Sequence, residues 1–291
     1  MLQSWNMKTL LILLLLVPTL AISKIYKKDG KFTLKTSSKS GFKYHRNFMD
    51  HNDYNFQYIK DKKKARAGKY YQQFELRDGD CFGDDDGGWS DCDSDRERVE
   101  FSTRPRQPIT KNQCYGYSLM LSEDFIDTHP TNTTLGQIHQ HGGPTGTAGG
   151  LASFPPLVQI DAREGSLYFN WHELSGSATN VIDESRYHFL KSLEDMKGVW
   201  TDISFCLDFK NKRMDAWVDG IKKVEILKSP IFFKPEGIYF KHGIYRSFIS
   251  TYKARNNGKM PTQVVFYDEV RRGKSIKKVD VNINPKLKPV D

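Results

Sequence analysis

Polar and apolar residues alternate in short runs along most of this chain, the period of half-buried β-strands. Tyr70-Tyr-Gln-Gln-Phe-Glu-Leu76 opens the pattern, and Arg98–Thr103 and Cys114–Leu121 continue it. Leu157–Ala162 and Ser166–Trp171 form a hairpin across Arg163-Glu164-Gly165. Val199–Phe209 and Arg213–Val218 form another, and Asp219-Gly220 signals a tight turn after them. Thr262–Arg271 is the last long strand. Helix is expected only in short pieces, near Glu184–Leu193 and Ser122–Thr128. Many short strands with regular turn signals and almost no helix predict an all-β sandwich.

The N-terminal residues read differently. Lys8 precedes an apolar run from Thr9 to Leu20, and Ala21-Ile22-Ser23 offers small residues for cleavage. The run is too short to span a bilayer, so residues 1–23 are expected to be an export signal and the protein to be secreted, with no membrane span. Residues 24–66 are Lys-rich and weakly periodic, and are expected to form a basic arm before a single domain over 67–291. The net charge of +9 suits a polyanionic partner. Nucleic acid is set aside because no nucleic-acid motif accompanies the charge. A monomer is expected.

The cysteines number four, an even count that suggests disulfides in an exported protein. Cys81 and Cys92 flank a loop, Gly79–Asp95, that is rich in Gly and Asp, and are the expected pair. Cys114 and Cys206 sit in strand-like contexts that suit either a bridge or two buried thiols. Within the loop Asp84, Asp85 and Asp86, with Asp91, Asp93 and Asp95, offer oxygen ligands to calcium, without the spacing of a known calcium loop; no cofactor is required. Of the aromatics, Trp171 and Trp217 are the first to consider as stacking platforms for sugar rings.

Three strands carry candidate chemistry. Alternate residues share a face, so Arg98, Glu100 and Ser102 point together, as do Gln137 and His139, and as do Tyr239, Lys241, Gly243 and Tyr245. Placed side by side, they present a guanidinium, an amide, an imidazole, an ammonium and two phenols to one cleft. Removing the C5 proton of a uronic acid adds charge beside its carboxylate, which must be neutralised first. Arg98, Gln137 and Lys241 can do this, and His139 and Tyr245 can move the protons. Glu100 is expected to hold Arg98, and Tyr239 to support the site. His242 should face away from Lys241.

Arg-x-Glu-Phe at 98–101, Gln-Ile-His at 137–139 and Tyr-Phe-Lys-x-Gly-x-Tyr at 239–245 resemble the signature strands of the jelly-roll polysaccharide lyases, which include alginate, glucuronan and heparin lyases. The resemblance runs from about Tyr70 to Lys274. It implies a concanavalin-like jelly roll, an anionic polysaccharide as partner, and catalysis by His139 and Tyr245. Alginate enzymes usually close the first motif with a second Arg where this chain has Ser102, and the run Pro261–Val270 looks more like the glucuronan and heparin branch. The expected activity is β-elimination in a 1,4-linked uronate polysaccharide, glucuronan or a heparin-like glycan, with alginate as the alternative. A non-catalytic carbohydrate-binding sandwich is the competing class. The Gly-rich segment His141–Ser153 is expected to hang over the cleft.

Overall fold

The computed structural model describes residues 25–28, 31–49, 52–83, 90–109, 111–142, 154–177 and 179–291. In chain order its strands are β1 (Ile25–Lys28), β2 (Lys31–Lys35), β3 (Tyr44–Met49), β4 (Phe56–Lys60), β5 (Tyr70–Leu76), β6 (Arg96–Arg104), β7 (Gln113–Leu121) and β8 (Asn132–His141). They continue with β9 (Val158–Arg163), β10 (Ser166–Ser177), β11 (Asn180–Ser192), β12 (Thr201–Asp208), β13 (Arg213–Val218), β14 (Ile221–Ile226), β15 (Gly237–Ser247) and β16 (Gln263–Gly273). One sheet has the order β1-β2-β3-β6-β15-β8-β9-β10-β11, and the other β14-β13-β12-β7-β16-β5-β4. The two form an all-β jelly-roll sandwich.

Alternation along the central strands decides what each face carries. Val99 and Phe101 of β6, Ile138 of β8, and Phe240 and Ile244 of β15 turn inward and are fully buried. They meet Phe74, Tyr117, Leu119, Phe205 and Tyr267 of the second sheet, with ring pairs such as Phe74–Phe101 at 5.6 Å and Tyr117–Phe240 at 5.5 Å. Each such ring stabilises the sandwich by about 1.5–3 kcal/mol. His242 joins this inner face as expected, and its Nε2 donates to Gln72 Oε1 at 2.9 Å. The residues between these apolar positions are thereby left on the outer face of the first sheet.

A double irregularity interrupts β8 and β15. The register of β15 on β8 shifts between Lys241 and Tyr245, and β8 on β9 shifts between Thr134 and Gln137. Gly243 has φ 129°, and a Cβ there would lie 2.2 Å from the Val99 carbonyl oxygen, so only glycine fits. The hydroxyl of Tyr267, reaching across the core, donates to the carbonyls of Leu135 (2.6 Å) and Gly243 (2.9 Å) and shares one proton between them.

Several expectations need correction. Residues 24–66 are more than an arm: β1–β3 extend the first sheet and β4 edges the second. Buried Leu34 and His45 alternate with exposed Lys35, Tyr44 and Arg46, a run too short in each strand to stand out from the surrounding basic residues. Glu184–Leu193 is strand, the second half of β11, because pairing with β10 along its length overrides the helix-forming character of Glu, Arg, Leu and Lys. Ser122–Thr128 forms turns, and the one α-helix among the described residues, α1, spans Ile249–Lys253. Both cysteine pairs are bridged: Cys81–Cys92 as expected, and Cys114–Cys206 between directly opposed positions of β7 and β12. The export signal lies outside the described residues, and no helix among the described residues is long and apolar enough to cross a membrane.

Tyr267→Phe deletes one hydroxyl and leaves two buried carbonyls without their donor. It should lower stability by about 1–3 kcal/mol in denaturant unfolding, with the denaturant dependence unchanged.

Candidate active site

The three signature strands are neighbours, in the order β6-β15-β8. Register puts Tyr245 opposite Arg98, Lys241 opposite both Ser102 and Gln137, and Tyr239 opposite His139. The same-face assignment read from alternation therefore holds, and the side chains touch. Lys241 Nζ donates to Glu100 Oε2 at 2.8 Å, and Gln137 Nε2 to Glu100 Oε1 at 2.6 Å. Arg98 lies 4.5 Å above the Tyr245 ring, and Lys241 Nζ is 6.0 Å from that ring. The His139 and Tyr239 rings stack at 5.6 Å.

Arg98 is held differently from expectation. Its Nε and Nη2 donate to the two carboxylate oxygens of Asp91 at 2.6 and 2.7 Å, while Nη1 reaches Glu100 only at 3.4 Å. Asp91, fully buried, is its main anchor, and Glu100 chiefly binds Lys241 and Gln137. The planar fork that seemed available to a substrate carboxylate is thus taken by Asp91. Asp91 stands beside Cys92, and the Cys81–Cys92 bridge ties its loop down. The cysteine spacing was the sequence signal that could have found it. Asp91 is accordingly spent on Arg98, and Asp95 accepts from Ser250. Asp84, Asp85 and Asp86 lie outside the described residues, as does 143–153 of the Gly-rich segment. No cluster of metal-binding side chains occurs among the described residues.

Two cations and two carboxylates, Arg98, Lys241, Asp91 and Glu100, make a buried and formally neutral row. Burial opposes every one of these charges. For Arg98 the carboxylates of Asp91 and Glu100 outweigh it and raise the pKa; for Glu100 the charges of Lys241 and Arg98 outweigh it and lower the pKa. For Lys241 burial wins and the pKa falls. His139 is pushed down to about 4, first by burial and then by the Lys241 charge, so its imidazole is neutral at neutral pH. Burial also raises Tyr245 above the usual phenol range, against the pull of Arg98. The resting phenol therefore keeps its proton, contrary to the phenolate that neighbouring cations alone suggest. The face carries one neutral base and one proton-bearing acid.

Trp171 and Trp217 do not line this face. Trp171 belongs to the core between the sheets, and Trp217 packs on the Cys114–Cys206 bridge. Tyr239 and Tyr245 place aromatic rings on this face.

A model of the polysaccharide lyase family matches residues 33–271. The chain belongs to that family. Polysaccharide lyases cleave their substrates by β-elimination. No curated protein matches this lyase by sequence. Among solved structures it is similar to an endo-β-1,4-glucuronan lyase from the fungus Trichoderma reesei, with 19% identity and a TM-score of 0.55, over 83% of this chain and 94% of that one. It is also similar to the family 7 alginate lyase A1-II′, at 12% identity and TM-score 0.51, over 77% of this chain and 84% of that one. At these identities the likeness speaks for the fold.

Because Asp91 is buried and gripped by Arg98, removing that cation leaves its carboxylate uncompensated, while Glu100 keeps Lys241. Arg98→Ala should cost roughly 3–5 kcal/mol of stability in denaturant unfolding, far beyond an exposed strand substitution. A loss under about 1 kcal/mol would mean that water already reaches the pair.

Proposed function

We propose that this lyase is exported and cleaves a 1,4-linked uronate polysaccharide, glucuronan or a heparin-like glycan, with His139 and Tyr245 as its proton-transfer residues. The observation that carries the proposal is the pairing of a neutral imidazole with a protonated phenol on one face, flanking the buried Lys241–Glu100–Gln137 row. The second amide proton of Gln137 and the Nη1 edge of Arg98 meet the uronate carboxylate. Lys241 adds positive charge beneath it, so that the enolate-like intermediate forms against donors already in place. The two disulfides and the net positive charge support secretion and an anionic polymer as partner. Ser102 argued against alginate, but Arg104 Nη1 donates to the Ser102 hydroxyl, so a guanidinium stands at that position after all. Alginate therefore belongs among the polymers tested.

The stereochemistry of the sugar decides how the two residues share the work. In iduronate and guluronate the C5 proton and O4 lie on opposite faces of the ring. His139 then takes the proton and Tyr245 returns one to O4. In glucuronate and mannuronate they lie on the same face, and Tyr245 performs both transfers after losing its own proton.

Incubation with glucuronan, heparin and alginate, followed by the ultraviolet absorbance of the new C4–C5 double bond, tests the proposal. Binding without that signal on any of the three polymers would overturn it. Tyr245→Phe should lower kcat by roughly 10²–10⁴-fold with little change in affinity. The pH dependence of kcat/KM then separates the two routes. With His139 as base, activity rises through about 4, where the imidazole loses its proton, and falls only above the usual phenol range. With Tyr245 as base, activity climbs steadily through neutral pH into the alkaline range, because the phenolate is the active form.

A further inference from the structure

Next to the neutral row the same face carries cations with no carboxylate partner among the described residues. Arg46 of β3 is registered opposite Ser102, and Tyr44 opposite Arg104. Arg104 and Arg106 lie 5.6 and 5.4 Å from the Tyr239 ring centre, the ring that stacks on His139. Arg106 Nη1 also lies against the ring nitrogens of His141. Among the described residues none of these three arginines has a carboxylate partner. Glu236, exposed, pairs with His141, its carboxylate 3.8 Å from Nε2. Every buried cation of the catalytic row, by contrast, has its carboxylate.

The other flank is built on the opposite plan. Thr134, Gln159, Asp161, Asn170 and His172 are bonded to one another, and His172 Nδ1 is 2.9 Å from Asp183. That network holds two carboxylates, Asp161 and Asp183, and no lysine or arginine. Crowding like charges carries a cost, and Arg104 shows it: burial, then Arg106, push its pKa below the ordinary value. Half-buried Arg104 and exposed Arg106 lie over a ring that stacks on the His139 imidazole, and with exposed Arg46 beside them they are poised for an anion from outside.

We infer that Arg46, Arg104 and Arg106 with Tyr239 form a second anion site, which binds an acidic oxyanion on a sugar adjoining the uronate that is cleaved. This rests on the reading of the site given above and narrows its substrate class. Arg104 and His139 are separated by two strand spacings, about 10 Å, which a sugar next to the scissile bond covers. The anion is either the carboxylate of a neighbouring uronate or a sulfate ester on a neighbouring hexosamine, since both offer oxygens to a guanidinium fork. A polymer in which every uronate is followed by an uncharged sugar leaves the site empty.

Binding of short oligosaccharides to the Tyr245→Phe protein, measured by calorimetry, tests this without requiring turnover. The probes are tetrasaccharides of glucuronan, of unsulfated heparosan (uronate alternating with an uncharged hexosamine) and of its sulfated form. The glucuronan or the sulfated probe should bind roughly tenfold or more tightly than heparosan. Preference for the first assigns the site to a carboxylate, and preference for the second to a sulfate. Adding Arg104→Gln and Arg106→Gln should abolish the difference, while Arg104→Lys with Arg106→Lys retains part of it. Thermal unfolding confirms that both double variants fold, since neither arginine is in the core. Equal affinity for all three probes, or a preference that survives the glutamine pair, would overturn the inference. The lyase reading is judged separately, by whether the wild-type protein forms the unsaturated product from any of these polymers.

Discussion

The buried contact between Asp91 and Arg98 is the constraint on which the site rests. A guanidinium and a carboxylate taken out of water are tolerated only with good geometry and satisfied donors. Here the bidentate contact, the Cys81–Cys92 bridge beside it and the second pair, Glu100 with Lys241, meet that demand together. The row is neutral as a whole, so it does not repel a polyanion, and it holds its donors rigid. Its fields also set the protonation of its neighbours. Lys241 adds to burial in keeping His139 neutral, while burial outweighs Arg98 in keeping the phenol of Tyr245 intact.

The sandwich makes this possible by separating two kinds of residue on the same strands. On β6 and β15, Glu100, Tyr239 and Lys241 alternate with Val99, Phe101, Ile238 and Phe240, whose side chains fill the space between the sheets. Burial of those side chains stabilises the fold, and the strands they anchor carry ionisable groups that would not assemble unaided. The irregularity at Gly243 and Gly136, pinned by Tyr267 from the opposite sheet, displaces Tyr245 from the register of Lys241. The core thus reaches through to the outer face by a hydrogen bond as well as by packing.

Charge along the face is uneven, and this unevenness bears on what kind of polymer fits. The buried row of Arg98, Lys241, Asp91 and Glu100 is neutral, the flank toward β3 is cationic, and the flank toward β10 and β11 is a closed network of hydrogen bonds. On the function proposed above, a glycan laid on such a surface is read for acidity on one side of the cleaved bond and for hydroxyl groups on the other. The segment before β5, unremarkable as a Lys-rich stretch, supplies Arg46 to this pattern through β3.

Much was legible before any coordinates. The period of two assigned strands and faces correctly at Arg98, Gln137, His139, Lys241 and Tyr245, because side-chain direction in a strand is fixed by parity alone. Turn chemistry likewise marked the hairpins at 163–165 and 219–220. What parity cannot express is which residue meets which across the sheet. That Asp91 rather than Glu100 grips Arg98, that Tyr267 holds the bulge, and that Arg104 fills the place beside Ser102 all depend on contacts between distant or irregular segments. The same limit explains β11, where pairing with β10 prevailed over local helix propensity, and the Tyr245 phenol, whose proton is retained because burial, a property of the folded whole, outweighs the cations beside it.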